Sequence, residues 1–170
     1  MRSGWKAVCK TRVPAGEGRD AYDRARSWVR SWGPFDATGW TMVDDANAGR
    51  GKHPRPGDGV VVTALMGAAG LGCWAALPLS VVYAGEEKTC DGGAAYRVGV
   101  GCLHGHWLRG EERFSVERVG RDGAVTIEVA SLSGPAPGLV PHLLYPVNRL
   151  LQLRFGRDLE RGVKRSLLGG

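Results

Sequence analysis

Apolar residues recur along this chain in two periods, and the changes from one period to the other predict its elements. Residues 5–13 alternate as an opening strand that Pro14 and the following glycines should end. From residue 19 to 32, Ala21, Tyr22, Ala25, Trp28, Val29 and Trp32 return at intervals of three and four with charges between them. That spacing predicts an amphipathic helix, stopped by Gly33-Pro34. Strand-like runs follow at 40–43, 59–66, 74–83, 94–102, 113–119 and 124–131, with turn signals at Asp91-Gly92-Gly93 and Asp122-Gly123. The last pattern is helical again: Val147, Leu150, Leu151, Phe155, Leu159 and Val163 should form one buried stripe on a helix beginning near Val147. Pro146 lacks an amide hydrogen, so Leu139 to Tyr145 reads as a separate turn or short helix.

A strand, a helix, a run of antiparallel strands and a long final helix define an α+β pattern. The expected architecture is a helix grip: a curved antiparallel sheet wrapped around the C-terminal helix, with an apolar cavity between them. At 170 residues the chain suits one domain, over residues 1–170. The segment from Gly59 to Gly85 carries no charge and is long enough to span a bilayer. Its turn-like centre GAAGLG and its interruption at Pro78 instead favour a hairpin of two buried strands, so no membrane span is expected.

The net charge of +6 comes mainly from arginine. The arginines are scattered and not interleaved with stacking aromatics, so a nucleic-acid partner is not expected. The densest group, Arg154, Arg157, Arg161, Lys164 and Arg165, falls on one helical face and reads as a solvated stripe. Four cysteines at 9, 73, 90 and 102 form no C-x-x-C pair, and the first residues lack an apolar signal core. Free thiols in a reducing cytoplasm are the expectation, and a homo-oligomer is compatible with the pattern.

Candidate chemistry concentrates between Gly101 and Phe114. This stretch, GCLHGHWLRGEERF, sets His104, His106, Glu111 and Glu112 among three glycines. Imidazoles titrate near neutral pH, and a carboxyl in a dry site is pushed upward toward it, so the segment supplies both an acid and a base. Strand alternation lets only one of Glu111 and Glu112 face a given cavity. His106 with one of these glutamates is the candidate proton-transfer pair, assisted by His104 or Tyr83. Trp74, Tyr96 and Trp107 are candidate walls of an apolar pocket, and Arg149 is a candidate polar anchor.

Rival chemistries lack essential parts. His104, His106 and Glu111 echo half of the H-x-H-x4-E metal pattern of cupins, but the second half is missing and a terminal helix does not suit a jelly roll, so no metal is expected. Gly49-Arg50-Gly51-Lys52 lacks the spacing and the Ser/Thr of a phosphate loop. No G-x-S-x-G elbow supports a serine hydrolase. With no cofactor motif present, a cofactor-free acid-base enzyme acting on a hydrophobic small molecule is the leading expectation. Cyclisation (spiroketal-type polyketide cyclisation, for instance), dehydration or isomerisation in secondary metabolism would suit it. The alternative is a lipid- or metabolite-binding protein in which the same polar groups orient ligand without reacting.

The run Gly101, Leu103, Gly105, His106, Gly110, Glu111, Glu112 and Phe114 resembles the G-T-L-x-G-H-x-x-x-G-E-E-x-F signature of an uncharacterised plant and bacterial family, domain of unknown function nineteen-ninety. Val81-Val82-Tyr83, Ser131-Leu132-Ser133, and Tyr145-Pro146 followed by Arg149 and Gln152 extend the resemblance over most of the chain. It implies a fold similar to the START-like helix grip, which encloses an apolar ligand pocket, and implies no reaction. The chain departs from the family pattern at Ser80, Val100, Cys102 and His104.

Overall fold

The computed structural model describes residues 9–39, 41–44, 53–68 and 71–169; the side chains of 41–44, 64–68 and 71–75 lie outside that description. The element order is β1 (Cys9–Glu17), α1 (Gly18–Arg30), α2 (Gly33–Thr38), β2 (Thr41–Asp44), β3 (Gly59–Ala68), β4 (Leu71–Lys88), β5 (Ala94–Cys102), β6 (Leu108–Arg118), β7 (Ala124–Pro135) and α3 (Leu139–Leu167). The strands form one antiparallel sheet in the order β1-β7-β6-β5-β4-β3-β2. Five successive hairpin-type connections lay down β2 to β7, and β1 then closes onto β7. This is the expected α+β helix grip, with the long C-terminal helix packed on one face of the sheet.

The uncharged segment after Gly59 is the β3/β4 hairpin, paired from Gly59 with Ser80 to Ala68 with Leu71. Among the described residues no helix is long and apolar enough to cross a membrane. Pro14 does not end β1 as expected; it pairs with Thr126 inside the strand. β1 lies at the edge of the sheet, where a residue without an amide hydrogen is tolerated. Residues 5–8 of the expected opening strand, Trp40, and the Gly49 to Lys52 turn fall outside the described residues.

Gly33-Pro34 both ends α1 and starts α2, with Pro34 in the first helical turn. Gly33 is required there, because a Cβ would stand 2.3 Å from the indole nitrogen of Trp28. This turn delivers Phe35 to the core, where its ring lies 5.2 Å from Phe114 on β6 and 5.9 Å from Phe155 on α3. The three buried rings meet edge-on or tilted, an arrangement that contributes about 0.5–1.5 kcal/mol per pair beyond burial of their area. They lock α2, the sheet and α3 together beside the cavity.

α3 corrects two expectations. Pro146 sits inside one continuous helix from Leu139 to Leu167. Its ring and His142, whose carbonyl loses a helical donor, are both exposed, so water can take the place of the missing bond. The stripe from Val147 to Val163 is not one buried face either: Phe155, Leu159 and Val163 are buried, but Val147 and Leu150 are exposed. Steps of four residues overshoot the 3.6-residue turn by about 40° each, so a row spaced strictly by four winds around the helix. Val147 begins that row in solvent, and Val163 ends it in the core.

Candidate functional site

On β6 the core-facing positions are Glu112, Phe114 and Val116, the last two fully buried. Alternation therefore turns the Glu112 side chain inward. It lines a cavity of about 70 Å³ between the sheet and α3, together with Val100 and Cys102 of β5, Ser131 and Ser133 of β7, and Leu151 and Gln152 of α3. That space exceeds what a single water needs, so the cavity has room for a small molecule. Leu77, Leu79, Leu108 and Phe155 complete a mostly apolar wall.

Glu112 is the most perturbed acid of the site. No hydrogen bond or ion pair reaches its carboxyl among the described residues, and burial alone pushes it from 4.5 up to about 7. Its cross-strand neighbours are Val100 and Ser131, neither of which carries a positive charge. Cys102 is pushed up to about 12, first by burial and then by the charge of Glu112, and remains an inert thiol.

A polar chain faces this carboxyl from β7 and α3. Gln152 donates through Nε2 to Ser131 Oγ at 3.0 Å and to Ser133 Oγ at 2.9 Å, while its Oε1 accepts from Arg149 Nη1 at 2.8 Å. The two serine oxygens are 3.1 Å apart. One hydroxyl hydrogen is used between them, which leaves the pair a second to donate.

His106 also lines the cavity. Its Nδ1 accepts the amide hydrogen of Leu108 at 2.9 Å, and burial lowers its pKa. The neutral ring therefore carries its proton on Nε2, and protonating Nδ1 would break the Leu108 bond. His106 is thus a hydrogen-bond donor at neutral pH, and accepting a proton is costly.

The remaining candidates are placed elsewhere. Glu111 touches the cavity lining, but its carboxylate accepts a hydrogen bond from Tyr83 Oη at 2.7 Å. That pair lies on the opposite face of the sheet: the Tyr83 ring covers Gly99, where a Cβ would meet it at 2.4 Å, while Val98 and Val100 point inward. The Tyr83 hydroxyl is held protonated by burial and by Glu111. His104 is exposed in the β5/β6 turn, and half-buried Trp107 joins the sheet through its carbonyl, which accepts from the Ala136 amide at 3.0 Å. Tyr96 is buried under Arg30, with the guanidinium 6.0 Å from the ring, away from the cavity. Arg149 is not among the described residues that line the cavity and is joined to it through Gln152. Trp74 pairs with Leu65 in the β3/β4 ladder, and its side chain lies outside the described residues. Among the described residues no group of three or more His, Cys, Asp or Glu is placed to hold a metal ion.

Ser131, Ser133 and Gln152 carry the polar wall, yet the reading of site chemistry passed over them. The signal was present: Ser-x-Ser in an otherwise apolar strand puts two hydroxyls on one face, and Gln152 follows Asn148 by one helical turn.

A seven-stranded antiparallel sheet gripping a long C-terminal helix defines an α+β protein of the helix-grip class. More particularly, the chain belongs to the family described as Domain of unknown function (DUF1990), whose profile matches residues 3–162. It is 36% identical over 154 residues to a UPF0548 protein of Arabidopsis thaliana, an alignment covering 89% of this chain and 69% of that one. It is 28% identical over 166 residues to a UPF0548 protein of Deinococcus radiodurans, covering 94% and 74%. Among solved structures, a hypothetical protein of Helicobacter pylori is similar in fold at a TM-score of 0.55 and 11% identity, covering 92% of this chain and 86% of the other.

Proposed function

We propose that the protein binds one small, mainly apolar molecule in the cavity beneath α3, with a polar atom of that molecule held between Glu112 and the Ser131–Ser133–Gln152 chain. The observation that carries this reading is Glu112 itself: a carboxyl facing an apolar cavity, without a partner among the described residues, at about 7. Such a group costs stability in the empty protein, and a ligand that hydrogen-bonds to it recovers that cost. At neutral pH the carboxyl is divided between its two forms, so it donates to a ligand carbonyl or accepts from a ligand hydroxyl. A substituted phenol has the size and polarity the cavity fits. Methyl NMR of Val100, Leu79 and Leu151 titrated with para-cresol tests this: saturable shifts are expected in the wild type, and none in Ser133→Leu, which fills the polar wall. Absence of any shift in the wild type rejects the reading.

A second reading, acid-base catalysis, is favoured by one specific feature: Glu112 and His106 line the same cavity in complementary states. The Glu112 carboxylate would take a proton from carbon beside a ligand carbonyl, and the neutral His106 would donate its Nε2 hydrogen bond to the oxygen on which charge develops. Returning the proton to another carbon gives isomerisation, and returning it to a β-hydroxyl, which then leaves as water while the double bond forms, gives dehydration. Glu111 and Tyr83, which satisfy one another on the other face, take no part in this step. Deuterium exchange from solvent into a bound ketone, present in the wild type and lost in Glu112→Gln, supports catalysis. Binding without exchange leaves the binding function alone.

A further inference from the structure

The solvent face of α3 changes character halfway along. Leu139, Leu143, Val147 and Leu150 follow one another at intervals of four, four and three, and the same face continues as Arg154, Arg157, Arg161 and Arg165. Near-heptad spacing of this kind keeps one side of a helix in register, unlike the strict four-residue row that ends in the core. The apolar half is truly outside: Leu139, Leu143 and Leu150 are 75, 67 and 66% exposed. Large apolar side chains grouped at this exposure on a folded protein mark a contact surface. The basic half carries five cations between Arg154 and Arg165 against two carboxylates, Asp158 and Glu160. Asp158 is shared by Arg154 and Arg161 at 3.4 and 3.0 Å, and Glu160 is held by Lys164 at 2.9 Å, so the surplus charge is positive.

We propose that this face of α3 docks on an anionic lipid bilayer, its apolar half entering the headgroup boundary and its basic half lying on the headgroup charge, so that the cavity beneath the same helix loads its apolar ligand from the membrane. Charge complementarity selects this occupant. A protein partner's interface would centre on an apolar patch with charge at its rim, whereas here the two characters are segregated along one protruding helix, about 17 Å of apolar face followed by about 17 Å of cationic face. A bilayer offers both surfaces at adjacent depths. Leu103, exposed in the β5/β6 turn, sits at the end of the sheet from which α3 departs, where Leu108 pairs with Pro135 and Trp107 accepts from Ala136. It adds an apolar side chain at that end. The inference rests on the ligand-binding reading for its purpose, although the docking itself does not.

Co-sedimentation of the full chain with vesicles tests it. Vesicles of phosphatidylcholine containing about a third phosphatidylserine should bind the protein at least about tenfold more tightly than phosphatidylcholine alone, and salt should weaken the binding. Leu143→Ser with Leu150→Ser, and separately Arg157→Glu with Arg165→Glu, should each reduce it by about tenfold or more. All four positions are exposed, so these variants should keep the wild-type fold and its para-cresol response. Wild-type protein that ignores anionic vesicles overturns the proposal. So does a wild-type dimer that dissociates in the Leu143→Ser, Leu150→Ser variant, which would assign the face to a second copy of the chain. Vesicle binding without a para-cresol response would reject the ligand reading and leave the docking standing.

Discussion

Replacing Glu112 by Gln should stabilise the protein, and only at neutral to alkaline pH. The carboxyl binds its proton more tightly in the folded chain, at about 7, than in the unfolded chain near 4.5. Folded-state stability therefore falls as pH rises through that window and is flat, as far as this group is concerned, below and above it. Complete desolvation would make the difference about 3 kcal/mol, since each pKa unit is worth about 1.4 kcal/mol. Water able to enter the cavity lowers the figure, and about 1–3 kcal/mol is expected. Gln is close to isosteric and always neutral, so it removes the charging cost without opening space. Urea unfolding from about pH 4 to pH 8 should show the two proteins equal at the acid end and the variant more stable by about 1–3 kcal/mol at the other, and thermal melts should differ there by about 2–4 °C for each kcal/mol. A Gln variant that is less stable than the wild type at pH 8, or a difference that does not change with pH, would show that Glu112 has a partner when charged and would refute the reasoning.

On the opposite face of the sheet, Glu128 should behave in the reverse sense. Burial opposes its charge, but Lys10, Arg12 and Arg113, at 2.9, 2.7 and 2.8 Å, hold its carboxyl at about 2, so it stabilises the fold above its unfolded pKa and loses that contribution as pH falls from about 4.5 toward 2. Glu128→Gln should cost about 2–3 kcal/mol at pH 7 and almost nothing near pH 2 by the same urea assay; an equal cost at both ends would count against it. Gly110→Ala should cost about 2–4 kcal/mol, because the residue has φ of +139° and an added Cβ would stand 2.0 Å from the Leu132 carbonyl oxygen. A melting temperature equal to that of wild type would contradict that account.

Local pattern revealed the strands, the β3/β4 hairpin and the existence of a terminal helix, because alternation and turn chemistry are local properties. The facing of α3 was not local. Two apolar rows run along it, and only the sheet beneath decides that Phe155, Leu159 and Val163 are covered while Leu143 and Leu150 are not. The same limit applies to the site. Alternation showed that one of Glu111 and Glu112 must face inward, but choosing between them needed the register of β6, which sets Glu112 beside Val100 and Ser131. Separating Tyr83 from His106 likewise needed the strand register. The bulge between Val81 and Tyr83 helps to put that ring on the far side, a shift without a sequence marker.

The account depends most on Glu112 being an unpartnered carboxyl in a ligand cavity, and a 13C NMR titration of its side-chain carboxyl measures this directly. With the cavity empty, the midpoint should lie near 7, and saturating para-cresol should move both the shift and the midpoint. A midpoint near the ordinary value of about 4.3, unchanged by para-cresol, would contradict it.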